Sequence, residues 1–502
     1  MPGRLTSTLA VIALLCLVAR GVRAQDNSPA PDNGQQAPTS GQQAPDAGQT
    51  QSPAPGTAAP PPGLQNPLGG QTETESQSAT PTDTRPLAGA EAITPTLPTA
   101  GRSYFIPSFS FWEGGSTNAR LISGYSSVAL AAVPVGTLDL HTMGRHNSFD
   151  VDFGGGGLLY ESNWNDSAAF DNLQISDTYK ARRWTFFISD RASYWPESAL
   201  GFEGIGFAGV FNNAQSLGIG GGAGELNGFY TPGQSFLTGY AGVTSDNAIA
   251  QFQYFLTPRT SVSAMGAFGY MHYNQQGLTG SNDRIGTFSI DHEFTPTQSL
   301  SLSYTVSEIH FNGGSVAFSD NLWRAGYGYR VTNHFTLTLV GGPELTYSAI
   351  SGVFGVRRRF SWAGQGRLGY RGQRGGVNVS YLHYLTPGSG VFQGAETSVA
   401  TVTANRELAR RWTGDVTLGW SGSGAFASYS ASSAYNRVGH INYEYGNLRL
   451  SHTLGHSSRV FAVYGLQHQE SGAPVLPGSN SRLLIVQIFG VGIEWHPHPF
   501  GL

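Results

Sequence analysis

Residues 300–307 read Leu300-Ser301-Leu302-Ser303-Tyr304-Thr305-Val306-Ser307. Large apolar side chains hold the even positions and hydroxyls hold the odd ones. Successive side chains of a strand point to opposite faces, so this stretch is a strand with one apolar wall and one polar wall. The pattern recurs upstream, where Phe288, Ile290 and Phe294 oppose Thr287, Ser289, Asp291 and Glu293. It recurs downstream in Phe335-Thr336-Leu337-Thr338-Leu339, and again where Trp412, Val416, Leu418 and Trp420 oppose Thr413, Asp415 and Thr417. Each run is about 9–13 residues, the length a tilted strand needs to cross a bilayer. After the first two dozen residues no run of 18 apolar residues occurs, which excludes helical spans.

The connections between these runs alternate in length. Tight hairpins are centred near residues 144, 182, 258, 296, 333, 373, 410 and 456. Longer connections rich in Gly, Ser and Asn occupy 274–281, 311–318, 347–355, 387–393, 423–434 and 470–480. Short turns at one end and long loops at the other organise outer-membrane barrels, and a soluble sandwich lacks that regularity. The hairpins give sixteen strands, a last strand over 482–496 returns the chain to the short-turn end, and Ser103 to Trp112 supplies its partner. The expectation is an all-β, antiparallel transmembrane β-barrel over 101–502 with about 18 strands, 16 being the fallback. Pro134 and Gly136 interrupt the pattern over 120–142, where a bulge or extra turn would change the count.

Composition agrees. Charged residues are 12% of the 502-residue chain, about half the usual share of a soluble protein. The chain has 68 Gly and 12% aromatics, which suits an outer wall in lipid and an inner wall in water. A net charge of −4 lacks the basic footprint of a nucleic-acid partner. Residues 1–24 read as a signal peptide, with Arg4, an apolar run from Leu9 to Ala19, and a small-residue cleavage site at Ala24. The single cysteine, Cys16, falls inside it, so the mature chain has no thiol chemistry. Residues 25–100 are rich in Pro, Gln and Ala, offer almost nothing to bury, and are expected to be a disordered periplasmic segment.

Chemistry-bearing motifs are few. G-x-S-x-G, a Walker A loop and H-E-x-x-H are all absent, no cofactor site is expected, and the chain is read as no enzyme. His496-Pro497-His498 reads as a polar terminus rather than a metal site. The charges on inward faces say more. By parity Arg324 and Arg330 oppose Trp323, Tyr327 and Tyr329, and Arg367 opposes Leu368 and Tyr370. Asp291, Glu293 and Asp415 also fall on the polar wall. A charge inside a membrane segment is costly unless it meets water or a partner, so these six residues are the candidates for pore lining. Both signs occur among them. Residues 196–246 form the longest connection, a candidate constriction or gating element. Aromatic residues cluster near the expected strand ends, Tyr270, Tyr273, Trp323, Trp362, Trp412 and Trp495 among them, as interfacial girdles do.

The stretch from Tyr179-Lys180-Ala181-Arg182-Arg183-Trp184-Thr185-Phe186 to Tyr194-Trp195-Pro196 resembles porin-like bacterial outer-membrane β-barrel proteins. So do turns of the type Thr257-Pro258-Arg259-Thr260 and the ending Glu494-Trp495-His496-Pro497-His498-Pro499-Phe500. The resemblance covers about 101–502. It implies an outer-membrane location with lipid around the barrel. It also implies delivery by the barrel-assembly machinery, which in many such proteins recognises a last strand ending on an aromatic. Here Phe500 is followed by Gly501 and Leu502, and Trp495 is read as closing the strand. The function expected is a porin-like channel for diffusion or export of polar solutes, since 16–18 strands leave an aqueous lumen. The rivals are a non-conducting structural or adhesive barrel and a membrane-embedded hydrolase.

Overall fold

A computed structural model describes residues 103–117, 128–161, 168–195, 242–274, 280–312, 316–350, 356–386, 394–425, 439–472 and 483–502. The expected signal peptide (1–24), the expected disordered segment (25–100) and residues 196–241 of the longest connection lie outside them. The first six strands are β1 (Tyr104–Thr117), β2 (Val128–Met143), β3 (Asn147–Tyr160), β4 (Ala168–Lys180), β5 (Trp184–Trp195) and β6 (Val243–Thr257). Next come β7 (Thr260–Tyr273), β8 (Ser281–Thr295), β9 (Gln298–Phe311), β10 (Val316–Arg330), β11 (Phe335–Ile350) and β12 (Val356–Gly372). The last are β13 (Gly375–Thr386), β14 (Ala395–Ala409), β15 (Trp412–Ala425), β16 (His440–Leu454), β17 (Ser458–Ser471), β18 (Leu483–Trp495) and the two-residue β19 (Phe500–Gly501).

Each long strand pairs antiparallel with its neighbours in sequence, and β1 pairs with β18 as well as β2. The sheet therefore closes on itself as an 18-stranded barrel, and all eight expected tight hairpins join the strands they were read to join. Closure removes the unpaired edge that a bilayer does not tolerate.

Side chains sort by parity. Phe288 is 50% exposed, Leu302 55%, Leu339 48% and Leu418 53%, all on the outside. Their neighbours Thr287, Ser301, Ser303 and Thr305 are buried on the inside. An apolar coat of this extent is far beyond what a water-soluble monomer exposes, and it matches the lipid-facing band of a membrane barrel. Inside, hydroxyls pair across strands: Ser263 with Ser289 at 2.6 Å, Ser193 with Ser245 at 2.7 Å, and Thr287 with Thr305 at 2.9 Å. Such pairs satisfy the inner wall locally and add to each strand contact.

Several expectations need correction. The strands run 12 to 17 residues, longer than the alternating runs alone indicate. β11 continues to Ile350 and β17 to Ser471, inside the expected loops 347–355 and 470–480, while β6 takes the last residues of 196–246. In a closed ring a neighbouring strand still offers hydrogen-bond partners beyond the bilayer, so pairing outlasts the apolar pattern. No extra turn occurs in β2. Its register with β3 is the same before and after Pro134, with the ladder interrupted at Val133 and Pro134, beside a residue that lacks an N–H. Gly156 fits there because a Cβ would strike the Pro134 carbonyl. Tyr273 is not part of a girdle: it is buried inside with Val243 and Met271. Trp495 ends β18, as expected, but pairing resumes beyond it. After the Pro497 and Pro499 break, β19 pairs Phe500 with Phe105 and Gly501 with Tyr104, and the Leu502 N–H donates to the Ser103 carbonyl at 3.1 Å.

Candidate functional site

The inner wall is polar along its length, with Asp283, Asp320, Glu344 and Thr346 buried toward the long connections as well. Toward the long-connection end it also carries buried apolar clusters, among them Ile309, Phe311 and Phe318, and Leu322, Ala363 and Tyr384. Toward the short-turn end it is hydroxylated and charged.

All six expected pore-lining residues lie on the inner wall. Arg330 and Asp291 are buried, and Arg324, Arg367, Glu293 and Asp415 are half-buried. Arg324 Nη2 donates to Thr305 Oγ1 at 3.3 Å, so β9 positions it. Arg367 Nε donates to Asn378 Oδ1 at 2.9 Å, so β13 positions it. Asp415 stands in register with Arg449 of β16. The structure does not gather the six into one cluster. Asp291 and Glu293 sit on β8, the arginines on β10 and β12, and Asp415 on β15.

Sequence reading missed a second group. On β2 and β3, Asp139 faces Asp152 across the ladder and His141 faces Asp150. His141 Nδ1 lies 2.5 Å from Asp150 Oδ1, and the imidazole is fully buried. The signal was present: Asp150 and Asp152 alternate with Val151 and Phe153. The following Gly154 to Gly157 and the proline in β2 masked it by breaking the apolar period. Arg449 and Glu494 were also missed. They are buried and ion-paired, and the Arg449 guanidinium lies 4.2 Å from the Phe461 ring centroid.

Strand order decides how these groups face each other. In a ring of 18, the strand opposite β3 is nine positions on, namely β12. The carboxylates of β2 and β3 therefore stand half a turn from Arg367 on β12 and near-opposite Arg324 and Arg330 on β10. Asp152 and Arg367 are each five residues above their short turns, at one height. At that height acids face arginines across the barrel, which sets up a transverse field; nearer the long connections the arginine side also carries the buried acids Asp320 of β10 and Glu344 of β11.

The chain is similar to a BenF-like porin from Pseudomonas fluorescens Pf-5, at 9% identity and a TM-score of 0.42, over 80% of this chain and 99% of that one. It is similar to OccK2 (OpdF) of Pseudomonas aeruginosa at 10% identity and a TM-score of 0.41, over 78% and 97%. For the unliganded ferric citrate transporter FecA the values are 10% and 0.39, over 81% of this chain and only 66% of that one. No protein-family model and no curated protein matches the sequence. At these identities and TM-scores the likeness assigns neither a family nor a cargo, and the barrel rests on its own strand pairing.

Proposed function

We propose that the protein is an outer-membrane channel through which small polar solutes diffuse, with the charged ring of the short-turn half as its selecting section. One observation carries the reading: the acids of β2 and β3 stand half a turn from the arginines of β10 and β12. A solute bearing both charges can align with such a field, while a solute of one sign is drawn to one wall and held off the other. Hydroxyl pairs between the charges supply hydrogen bonds that replace hydration as a solute passes. Arg324, Arg330, Arg367, Asp291, Glu293 and Asp415 line the path in this reading. Direction is set by the solute gradient, and residues 25–100 tether the barrel on its periplasmic side.

Single-channel conductance of the mature chain in a planar bilayer tests this. Stable steps are expected. Changing Arg324 and Arg330 together to Glu should shift selectivity toward cations severalfold. A silent bilayer, from protein shown to be folded by its heat-dependent gel shift, would sink the channel reading.

A further inference from the structure

The outer wall is not uniformly bulky. On β10 to β13 one row across the strands is Ala325, Gly341, Gly364 and His383, in register. The row nearer the short turns carries Tyr327, Leu339 and Tyr381, and the row nearer the long connections carries Trp362. Ala325, Gly341 and Gly364 of that row are thus the floor of a recess of about 460 Å³, walled by those aromatic and leucine side chains and almost entirely apolar.

Backbone crowding explains little of this floor, being tight only at Gly364, where a Cβ would come within 3.3 Å of the Val340 carbonyl. A Cβ on Gly366 would meet only the Leu339 side chain at 3.5 Å, and one on Gly341 would find its nearest neighbour at 3.4 Å. At Gly364 a Cβ would strike the Trp362 ring at 2.8 Å, because the indole leans over the floor. Trp362 is held there from the side. It stacks on His383, with centroids 4.4 Å apart at 22°. His383 Nε2 lies 3.2 Å from Glu396, which is ion-paired with Arg359. The recess is built and braced, yet it opens outward to the bilayer.

Its height and its upper rim indicate the occupant. Gly364 lies six residues below Arg358 on β12. At ~3.3 Å per residue and ~40° of tilt this is ~15 Å along the membrane normal, the depth of one leaflet of a ~30 Å hydrocarbon core. Arg358 is exposed on the outer face, with its guanidinium 5.5 Å from the Tyr347 ring centroid. An exposed cation about one leaflet's depth above an apolar recess, with the exposed Phe360 and Trp362 between them on the same face, is complementary to an anionic lipid. We infer that the outer face of β10 to β13 seats one phosphorylated lipid of the outer leaflet, with its phosphate on Arg358 and an acyl chain in the recess. A second copy of the chain is the poorer fit, since a narrow slot takes one chain whereas a stable protein interface needs about 1,200 Å² or more. The inference depends on the barrel standing in a membrane and not on its conducting.

Native mass spectrometry of the mature chain, released from mild detergent, tests it. The probes are a bis-phosphorylated multi-acyl glycolipid, a phosphatidylethanolamine of matched chains, and inorganic phosphate. One glycolipid per barrel is expected, with phosphatidylethanolamine retained at least tenfold less and phosphate not retained. Ala325→Leu, which fills the floor, and Arg358→Glu, which reverses the rim charge, should each cut glycolipid retention about tenfold, while Leu418→Phe on another face should not. Undiminished retention in both folded variants would overturn the inference. So would equal retention of inorganic phosphate, which would make Arg358 a free-anion site, or dimers that dissociate in Ala325→Leu, which would make the recess a contact between copies.

Discussion

Arg449 of β16 and Glu494 of β18 are ion-paired across the intervening strand, with the guanidinium over the Phe461 ring of β17. Both side chains are buried, the carboxylate at 1% exposure. One interaction thus ties three strands beside the seam where β18 meets β1. Removing one partner from a buried pair leaves the other uncompensated, at a cost of roughly 3–5 kcal/mol. Arg449→Met should therefore lower the temperature of the heat-dependent gel shift clearly. Adding Glu494→Gln should recover most of the loss. An unchanged transition in Arg449→Met would show that the pair contributes nothing to closure.

The parity of β15 gives a sharper test of which wall faces lipid. Leu418 is 53% exposed on the outside, and Thr417 beside it turns inward. An arginine on the lipid face near the bilayer middle costs about 2–4 kcal/mol. Leu418→Arg should lose that much in urea titrations of barrel refolded into vesicles, and Thr417→Arg should lose little. Equal losses at the two positions would contradict the assignment of faces.

Charge segregation in the lumen predicts opposite shifts from opposite walls. Asp150→Asn with Asp152→Asn should move the reversal potential in a salt gradient toward anion selectivity, and Arg367→Gln toward cation selectivity. The effects should fade as salt rises from 0.1 M to 1 M, where screening length falls from about 10 Å to about 3 Å. Shifts of one sign from both walls would exclude a transverse field.

Gly156 tests the passage of Pro134 through β2. A Cβ at Gly156 meets the Pro134 carbonyl and the Phe170 ring. Gly156→Ala should destabilise the barrel by roughly 1–3 kcal/mol, as overpacking does. Gly136→Ala on the neighbouring strand, where a Cβ meets nothing within 4 Å, should be close to neutral. The same vesicle titration reads both.

The amino-acid sequence by itself determined the architecture. Period-two alternation is a local property of the chain, so runs such as Leu300 to Ser307 declare both strand and faces without any partner. The turns at Pro258, Pro296 and Asn333 are three of eight hairpins that give sixteen strands, and the last strand with Ser103 to Trp112 as its partner brings the count to eighteen. Parity alone put Arg324, Arg330, Arg367, Asp291, Glu293 and Asp415 on the inner wall. It failed where Gly154 to Gly157 and Pro134 broke the apolar period, and there the paired acids Asp139 and Asp152 were lost with it. What only the tertiary structure decided is which residues meet. Arg449 finds Glu494 two strands away, the β2–β3 acids face the β10 and β12 arginines through closure of the ring, and Ala325, Gly341, Gly364 and His383 fall in one row. The first and last depend on the register between neighbouring strands, and the second on the seam where β18 pairs with β1, strands far apart in sequence. No local pattern in the chain encodes them.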